Sequence, residues 1–345
     1  MAVQTLTSQL KIFFEERPAL LMDFVNTFFR ETRTFASKEI PVDRLAPKNI
    51  LAGYRAPGAA ADILAYQAGN GTVYHAPSIS LATSVSEELA NSATVGMEPN
   101  SPANEQLLRK YANIQTQQAD AIYNQIAKQA ADVLLYGKFD LLDGLGKTAR
   151  APIDFERDAS LFENNKSYKA NPTEQIEAAF SKLQNKNFPK IGVFALVGDT
   201  VLARLMQDAK FASLLKLQGL NAGRVWVSAD NRVVAMVYTG MLAGLPVPVT
   251  LCNFSAAYED AEGNVNSYIP DKAVVVGSFA SIRIQAYGGI FIADTANNTG
   301  QIYEGQIITD RFVSKNPDEV VIRTQSAPLL IPGEVNHTST VISAD

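Results

Sequence analysis

The sequence predicts an α+β fold, with a few helices set among mostly antiparallel strands. Three observations carry this expectation. The stretch from Pro102 to Tyr136 has helical periodicity and no glycine or further proline inside it. Short β-prone runs separated by turn residues recur on both sides of it. Apolar residues make up 47% of the 345-residue chain and charged residues 19%, enough to build sizeable cores and to exclude global disorder.

The first element is a helix from Thr5 to Arg30, broken at Pro18. Leu20, Leu21, Phe24, Val25, Phe28 and Phe29 repeat at helical spacing and form an apolar face. That face must be covered, either by its own domain or by a neighbouring subunit. A β-prone stretch follows, to Ile40-Pro41.

Ile50 to Asn100 has a different character. It holds short β-like runs at Leu51–Arg55, Ile63–Ala68, Thr72–His75 and Ser78–Val85, with Gly69-Asn70-Gly71 as an expected hairpin tip. No Lys or Arg occurs from Ala56 to Leu108. A charge-poor ribbon of this kind is marginal alone in water and needs another surface, on its own domain or on another chain.

Ser101 is an N-cap candidate for the long helix, and Pro102 suits its first position. Leu108, Tyr111, Ala119, Ile122, Ile126, Ala130, Val133 and Leu134 mark its apolar side, and Gly137 is the expected stop. Unbroken, it would span about 52 Å. Short strands and turns follow from Phe139 to Asn171, then a helix at Thr173–Asn185, a buried-type strand at Ile191–Val197 and a helix from Val201. Two hairpins are expected next: Arg224–Ser228 with Val233–Tyr238, and Val247–Tyr258 with Ser267–Ile269. Further strands are expected at Ala273–Val276, Ser281–Tyr287, Gly289–Ala293 and Val320–Ile331, the last interrupted at Pro328.

Composition narrows the chemistry. The net charge is -5, which argues against strong non-specific binding of nucleic acid or anionic membrane by the bulk chain. The single cysteine, Cys252, permits neither an intrachain disulfide nor a Cys-rich zinc site, and the composition fits synthesis in a reducing compartment. No apolar run reaches the roughly 18 residues of a membrane-spanning helix. Val197-Gly198-Asp199-Thr200 sits where an α/β ligand loop would, but it lacks the further glycines or the Gly-Lys-Ser/Thr of a phosphate site, so Asp199 reads as a helix N-cap. His75 and His337 lie in Pro/Ser/Thr-rich stretches expected to be exposed, and Cys252 reads as a small buried residue. No catalytic residue, metal ligand or cofactor is predicted.

What remains is an apolar arm, a charge-poor ribbon, a very long helix and an α+β remainder. In this setting the chain resembles the lambda-type major capsid proteins of tailed phages. The likeness rests on Phe28-Phe29-Arg30-Glu31 in the arm and on Leu135-Tyr136-Gly137-Lys138-Phe139 with Asp143-Gly144 at the end of the long helix. It continues through Ile269-Pro270-Asp271-Lys272, Val276-Gly277, Tyr287-Gly288 and Ile292-Ala293-Asp294 to Thr324-Gln325-Ser326-Ala327-Pro328-Leu329. The order and spacing of these segments hold over nearly the whole chain.

The resemblance implies the tailed-phage major capsid fold. Residues 1–46 would be an N-terminal arm, 47–100 an extended β-hairpin loop, 101–189 a peripheral domain with the spine helix, 190–311 an axial domain, and 312–345 a return to the peripheral domain. It implies a structural protein assembled in the host cytoplasm, forming pentamers and hexamers of an icosahedral shell around double-stranded DNA. Phe28, Phe29, Arg30, Tyr54, Tyr66 and Tyr74 would then lie at inter-subunit contacts. The implied partners are further copies of the chain, a separate scaffolding protein, a portal and a decoration protein. DNA would be held without sequence-specific binding, and no membrane is involved. A separate scaffold is expected because the arm motif falls within the first thirty residues. Some relatives crosslink a loop lysine to an asparagine; here no lysine follows Lys48 within the loop, which leaves Lys48 with an asparagine such as Asn336. Two other readings stand beside this one: an encapsulin-like protein container, and a soluble α+β enzyme with a carboxylate site around Asp199 or Asp230.

Overall fold

Continuous apolar runs such as Val193–Val197 and Ala273–Ser278 leave no polar face, so they need cover on both sides, and this organises the centre of the molecule. The computed structural model describes residues 20–44, 70–86, 103–142, 148–168, 171–184, 186–208, 211, 235–242, 245–260, 262–294, 299–315 and 318–344. The central sheet has six strands in the order β7 (Phe162–Glu163), β20 (Thr338–Ile342), β13 (Ala273–Ser278), β8 (Val193–Val197), β10 (Pro248–Asn253) and β9 (Ala235–Met241). Strand β8 is parallel to β10 and antiparallel to β13. Side chains alternate across it. Val193, Ala195 and Val197 join a core with helix α3 (Pro172–Leu183) and helix α4 (Asp199–Gln207), while Phe194 and Leu196 join a second core on the other face.

That second core is built on helix α1 (Leu20–Phe28) and helix α2 (Ala103–Tyr136). Helix α2 has 34 residues, about 50 Å. It stops where the sequence places the stop: Gly137 adopts φ +69° and donates to the Val133 carbonyl at 3.0 Å. Arg157 packs where a β-carbon on Gly137 would sit. Its guanidinium donates to the last helical carbonyls, Leu134 O at 3.3 Å and Leu135 O at 2.6 Å, and to Thr340 Oγ1 of β20 at 3.3 Å. Burial pulls the Arg157 pKa down to about 10.

The arm belongs to its own domain. Phe24 stacks on Phe254 with ring centroids 4.2 Å apart, and Phe28 meets Phe194 at 4.8 Å. Strand β1 (Glu31–Thr34) runs parallel to β14 (Arg283–Tyr287), which pairs in turn with β19 (Pro328–Pro332). Of the two covers open to the arm's apolar face, the described residues provide the intramolecular one.

A ribbon of β2 (Glu39–Arg44) and β3 (Asn70–His75) leaves the same region. Asn70 and Gly71 lie inside β3, opposite Arg44 and Asp43, so they do not form the tip of a hairpin between neighbouring runs. Strand β4 (Ile79–Val85) joins β18 (Asp318–Ser326), itself paired with β17 (Ile308–Lys315), in a three-stranded sheet under α2. Gln118 ties helix to sheet: its amide donates to Thr83 Oγ1 at 2.9 Å and Ile322 O at 3.1 Å, and its Oε1 accepts from Thr324 at 2.7 Å.

Three two-stranded pairs complete the described strands: β5 (Lys138–Leu142) with β6 (Thr148–Asp154), β11 (Ala257–Glu259) with β12 (Val265–Ser267), and β15 (Ile290–Asp294) with β16 (Thr299–Tyr303). Strand β3, placed by sequence in an extended loop, pairs with β2 in the ribbon, and β4, from the same expected loop, pairs with β18 beside α2. Strand β17 spans the expected division at 311/312. The C-terminal segment adds β20 to the central sheet as well as β18 and β19 to the sheets beside the helices. Ser101, Pro102, the runs at 51–55 and 63–68, and the first strand of the 224–238 hairpin lie outside the described residues.

Candidate assembly surfaces

Of the six residues expected at inter-subunit contacts, Phe28 and Phe29 are buried in the described chain. They are 2% and 0% exposed within the chain's own core, and Phe29 O accepts from Gln285 at 2.6 Å. The helical spacing that marked them was a core signal. Arg30 remains at the surface, its guanidinium over the Phe279 ring at 5.0 Å. Tyr74 is half-buried on the ribbon, with its ring 5.1 Å from Phe155. Tyr54 and Tyr66 lie outside the described residues.

Exposed apolar side chains not expected at contacts lie mostly on strands. Val73 on β3, Phe291 on β15, Ile302 and Tyr303 on β16, and Phe312 and Val313 on β17 are all exposed. Among the described residues β17 and β4 are the edges of their sheet, and β15 and β16 pair only with each other. Such edges offer unpaired N–H and C=O groups to another chain. Strand β17 is held in register by a two-pronged ion pair, with Arg323 Nε to Asp310 Oδ1 at 3.0 Å and Nη2 to Oδ2 at 2.6 Å.

Among the described residues the polar clusters do not form a catalytic relay. Ser281, His337 and Glu334 meet, but Ser281 Oγ (3.2 Å) and Glu334 Oε2 (2.9 Å) both approach Nδ1 of His337. A nucleophile–base–acid relay needs the serine and the acid on opposite ring nitrogens. His337 is half-buried against Phe188, not exposed as the sequence suggested. His75 is exposed, near Glu39. Asp199 opens α4, with Gly198 in the cap position that sequence reading gave to Asp199. Its carboxylate accepts from Asn253 Nδ2 at 2.9 Å and Ser255 Oγ at 2.7 Å, tying the ends of β8 and β10 together. Asp230 lies outside the described residues. Cys252 is fully buried, and burial pushes its thiol pKa up to about 12. Asn336 Oδ1 already accepts the Asp158 N–H at 2.9 Å; Lys48 is outside the described residues. Among the described residues no group of three or more His, Cys, Asp or Glu side chains could hold a metal ion, and no helix is long and apolar enough to cross a membrane.

The described residues thus present open strand edges and exposed apolar strand residues, features of a surface able to meet other chains. Comparison with known proteins identifies the family: the chain belongs to the phage major capsid protein E family, whose sequence profile matches residues 6–342. It is 23% identical over 346 aligned positions to the P21 prophage-derived major head protein of Escherichia coli O6:H1 strain CFT073, covering 94% of this chain and 95% of that one. The same figures hold for the major capsid protein of Enterobacteria phage P21. The fold matches the crystal structure of a prophage capsid protein from E. coli CFT073 with a TM-score of 0.68 at 17% identity, covering 98% of this chain and 99% of that one. A phage-related protein from Bordetella bronchiseptica RB50 matches at 0.52 and 11% identity, covering 98% and 96%. The protein is thus a non-enzymatic capsid component of a phage virion that self-assembles into the shell, with the tailed-phage major capsid fold.

Proposed function

We propose that copies of this chain associate as pentamers and hexamers and close into an icosahedral shell around double-stranded DNA. The family match across residues 6–342 is the observation that carries this reading. In it the body formed by the central sheet and α2 acts as a rigid tile, and the extended loop expected at 47–100 reaches onto neighbouring copies. Arg30, Tyr54, Tyr66 and Tyr74 remain candidates for these contacts; Phe28 and Phe29 do not. A separate scaffolding protein, a portal and a decoration protein are the proposed further partners. The net charge of -5 favours a shell wall that does not adhere tightly to its DNA.

Excision of residues 47–67 tests the reading. This removes most of the chain between β2 and β3 and keeps both strands, together with β4 and its pairing to β18. The shortened subunit should keep wild-type circular dichroism and thermal midpoint and form no closed particles in negative-stain micrographs. Closed particles at wild-type yield would overturn the role given to this segment. Wild-type protein that stays monomeric at high concentration would overturn the assembly mode itself. Protein cargo in place of DNA inside purified particles would point to a container.

A further inference from the structure

The hairpin β15–β16 stands apart from every sheet among the described residues. Its register sets Phe291 opposite Ile302 and Ala293 opposite Gly300, so these four residues share one face. Phe291 is 60% and Ile302 59% exposed, and Ala293 and Gly300 are exposed as well. The Phe291 ring lies against Gly300, in the space a β-carbon there would need, which leaves the face flat and uncharged. The root is firmly held. Ile290 is buried, Gly288 N–H donates to Ala327 O at 2.8 Å, and Gly289 N–H reaches Ser37 O at 3.4 Å. Beside that root, Ala76 N–H donates to Lys38 O at 2.8 Å where the ribbon β2–β3 departs. The apolar face is therefore presented by an anchored element and not by a frayed one.

We propose that the Phe291–Ala293–Gly300–Ile302 face docks onto a neighbouring copy of this chain within the shell. The proposal rests on the shell-forming reading above. Two arguments select a second copy as the occupant. The first is size. Phe291 and Ile302 together offer on the order of 200 Å² of apolar surface, against about 800 Å² per partner in a standard stable interface. A face this small cannot hold a free partner. It adds to contacts already made elsewhere, which is the situation of a subunit held by several neighbours, where each additional contact forms as if intramolecular. The second is charge. Copies of a chain with net charge -5 repel one another, and an uncharged face is where two of them can meet at least electrostatic cost.

Hydrogen exchange on wild-type protein tests this directly, by comparing residues 290–303 in purified shells and in unassembled subunits. Exchange there should slow by roughly tenfold or more on assembly. Ile302→Glu should leave the thermal midpoint and circular dichroism of the subunit unchanged and lower particle yield by about tenfold or more, while Ile302→Val assembles normally. Equal exchange at 290–303 in subunits and in well-formed shells, or Ile302→Glu particles at wild-type yield, overturns the docking role and leaves the shell reading intact. Failure of the wild-type chain to form any particle defeats the shell reading, and the hairpin contact with it.

Discussion

Replacing Arg157 tests how the long helix is joined to the body. The guanidinium donates to Leu134 O, Leu135 O and Thr340 Oγ1, so one side chain caps α2 and fastens it to β20. Hydrogen bonds from a charged donor contribute about 1.5–3 kcal/mol each, less when long. Only the bond to Leu135 O, at 2.6 Å, is short. Leu135 O keeps a second donor, Thr340 Oγ1 at 2.6 Å, which limits the damage. A cation at a helix C-terminus adds about 0.3–2 kcal/mol. Against these stands the desolvation that holds the Arg157 pKa near 10. The net expectation for Arg157→Met is a loss of about 2–4 kcal/mol. For Arg157→Lys the loss is about half that, since an ammonium cannot span three acceptors at fixed angles. At about 2 °C per kcal/mol for a chain of this size, Arg157→Met should lower the thermal midpoint of unassembled subunits by roughly 4–8 °C. Exchange of the amides around Gly137 should rise before global unfolding. Arg33, exposed and bonded to Glu31, supplies the comparison. A midpoint for Arg157→Met within about 1 °C of that for Arg33→Ala would refute the view that this junction holds the helix.

Three further outcomes follow from the same structure. Cys252 should resist thiol reagents at pH 8 in the folded subunit and react at once on unfolding; because its folded pKa is raised, its contribution to stability is present below the ordinary thiol value of about 8.5 and declines as pH rises through the range up to about 12. Gln129 leaves Oε1 buried without a partner and makes one long bond, to Pro328 O at 3.4 Å, so Gln129→Met should stabilise the subunit by about 1 kcal/mol in denaturant titrations. Lys186 and the Ser160 N–H hold the Asp158 carboxyl well below its usual range, and Asn264 does the same for Asp260; depressed values mean stability that is present above about pH 4 and is lost as pH falls below it, which thermal melts across pH 2–6 should show.

The helices and the central strands were legible in the sequence because their signals are local. The absence of glycine and proline from 103 to 136 and the stop at Gly137 fix α2 with no tertiary information. The apolar runs of β8 and β13 state that both of their faces are covered. Which surfaces stay open was not legible. The apolar positions of α1 announce burial but not against what, and Phe28 and Phe29 pack on Phe194, Phe279 and Gln285, residues distant in sequence. Strands β3 and β4 carry no sign that their partners are β2 and β18, because pairing between distant strands is set by register and packing, not by composition. The exposed pair Phe291 and Ile302 reads like any half-buried strand pair until the structure shows that no third strand or helix lies over it among the described residues.

Burial of the arm changes where the drive to assemble comes from. Had the face of Phe24, Val25, Phe28 and Phe29 stayed uncovered, each subunit would carry a large adhesive helix, and association would be strong, early and hard to reverse. With those side chains closed into the body, the described surface offers scattered apolar side chains, one small apolar face at Phe291 and Ile302, and open strand edges such as the rims of β17 and β4. Each such contact is weak alone, and a wrongly placed subunit held by one or two of them can leave. A subunit inside a closed ring or shell is held by many at once, and its escape requires all of them to break together. A fold that hides its most apolar segment and leaves scattered apolar side chains and strand edges open therefore suits a protein that must form one closed particle from many identical copies.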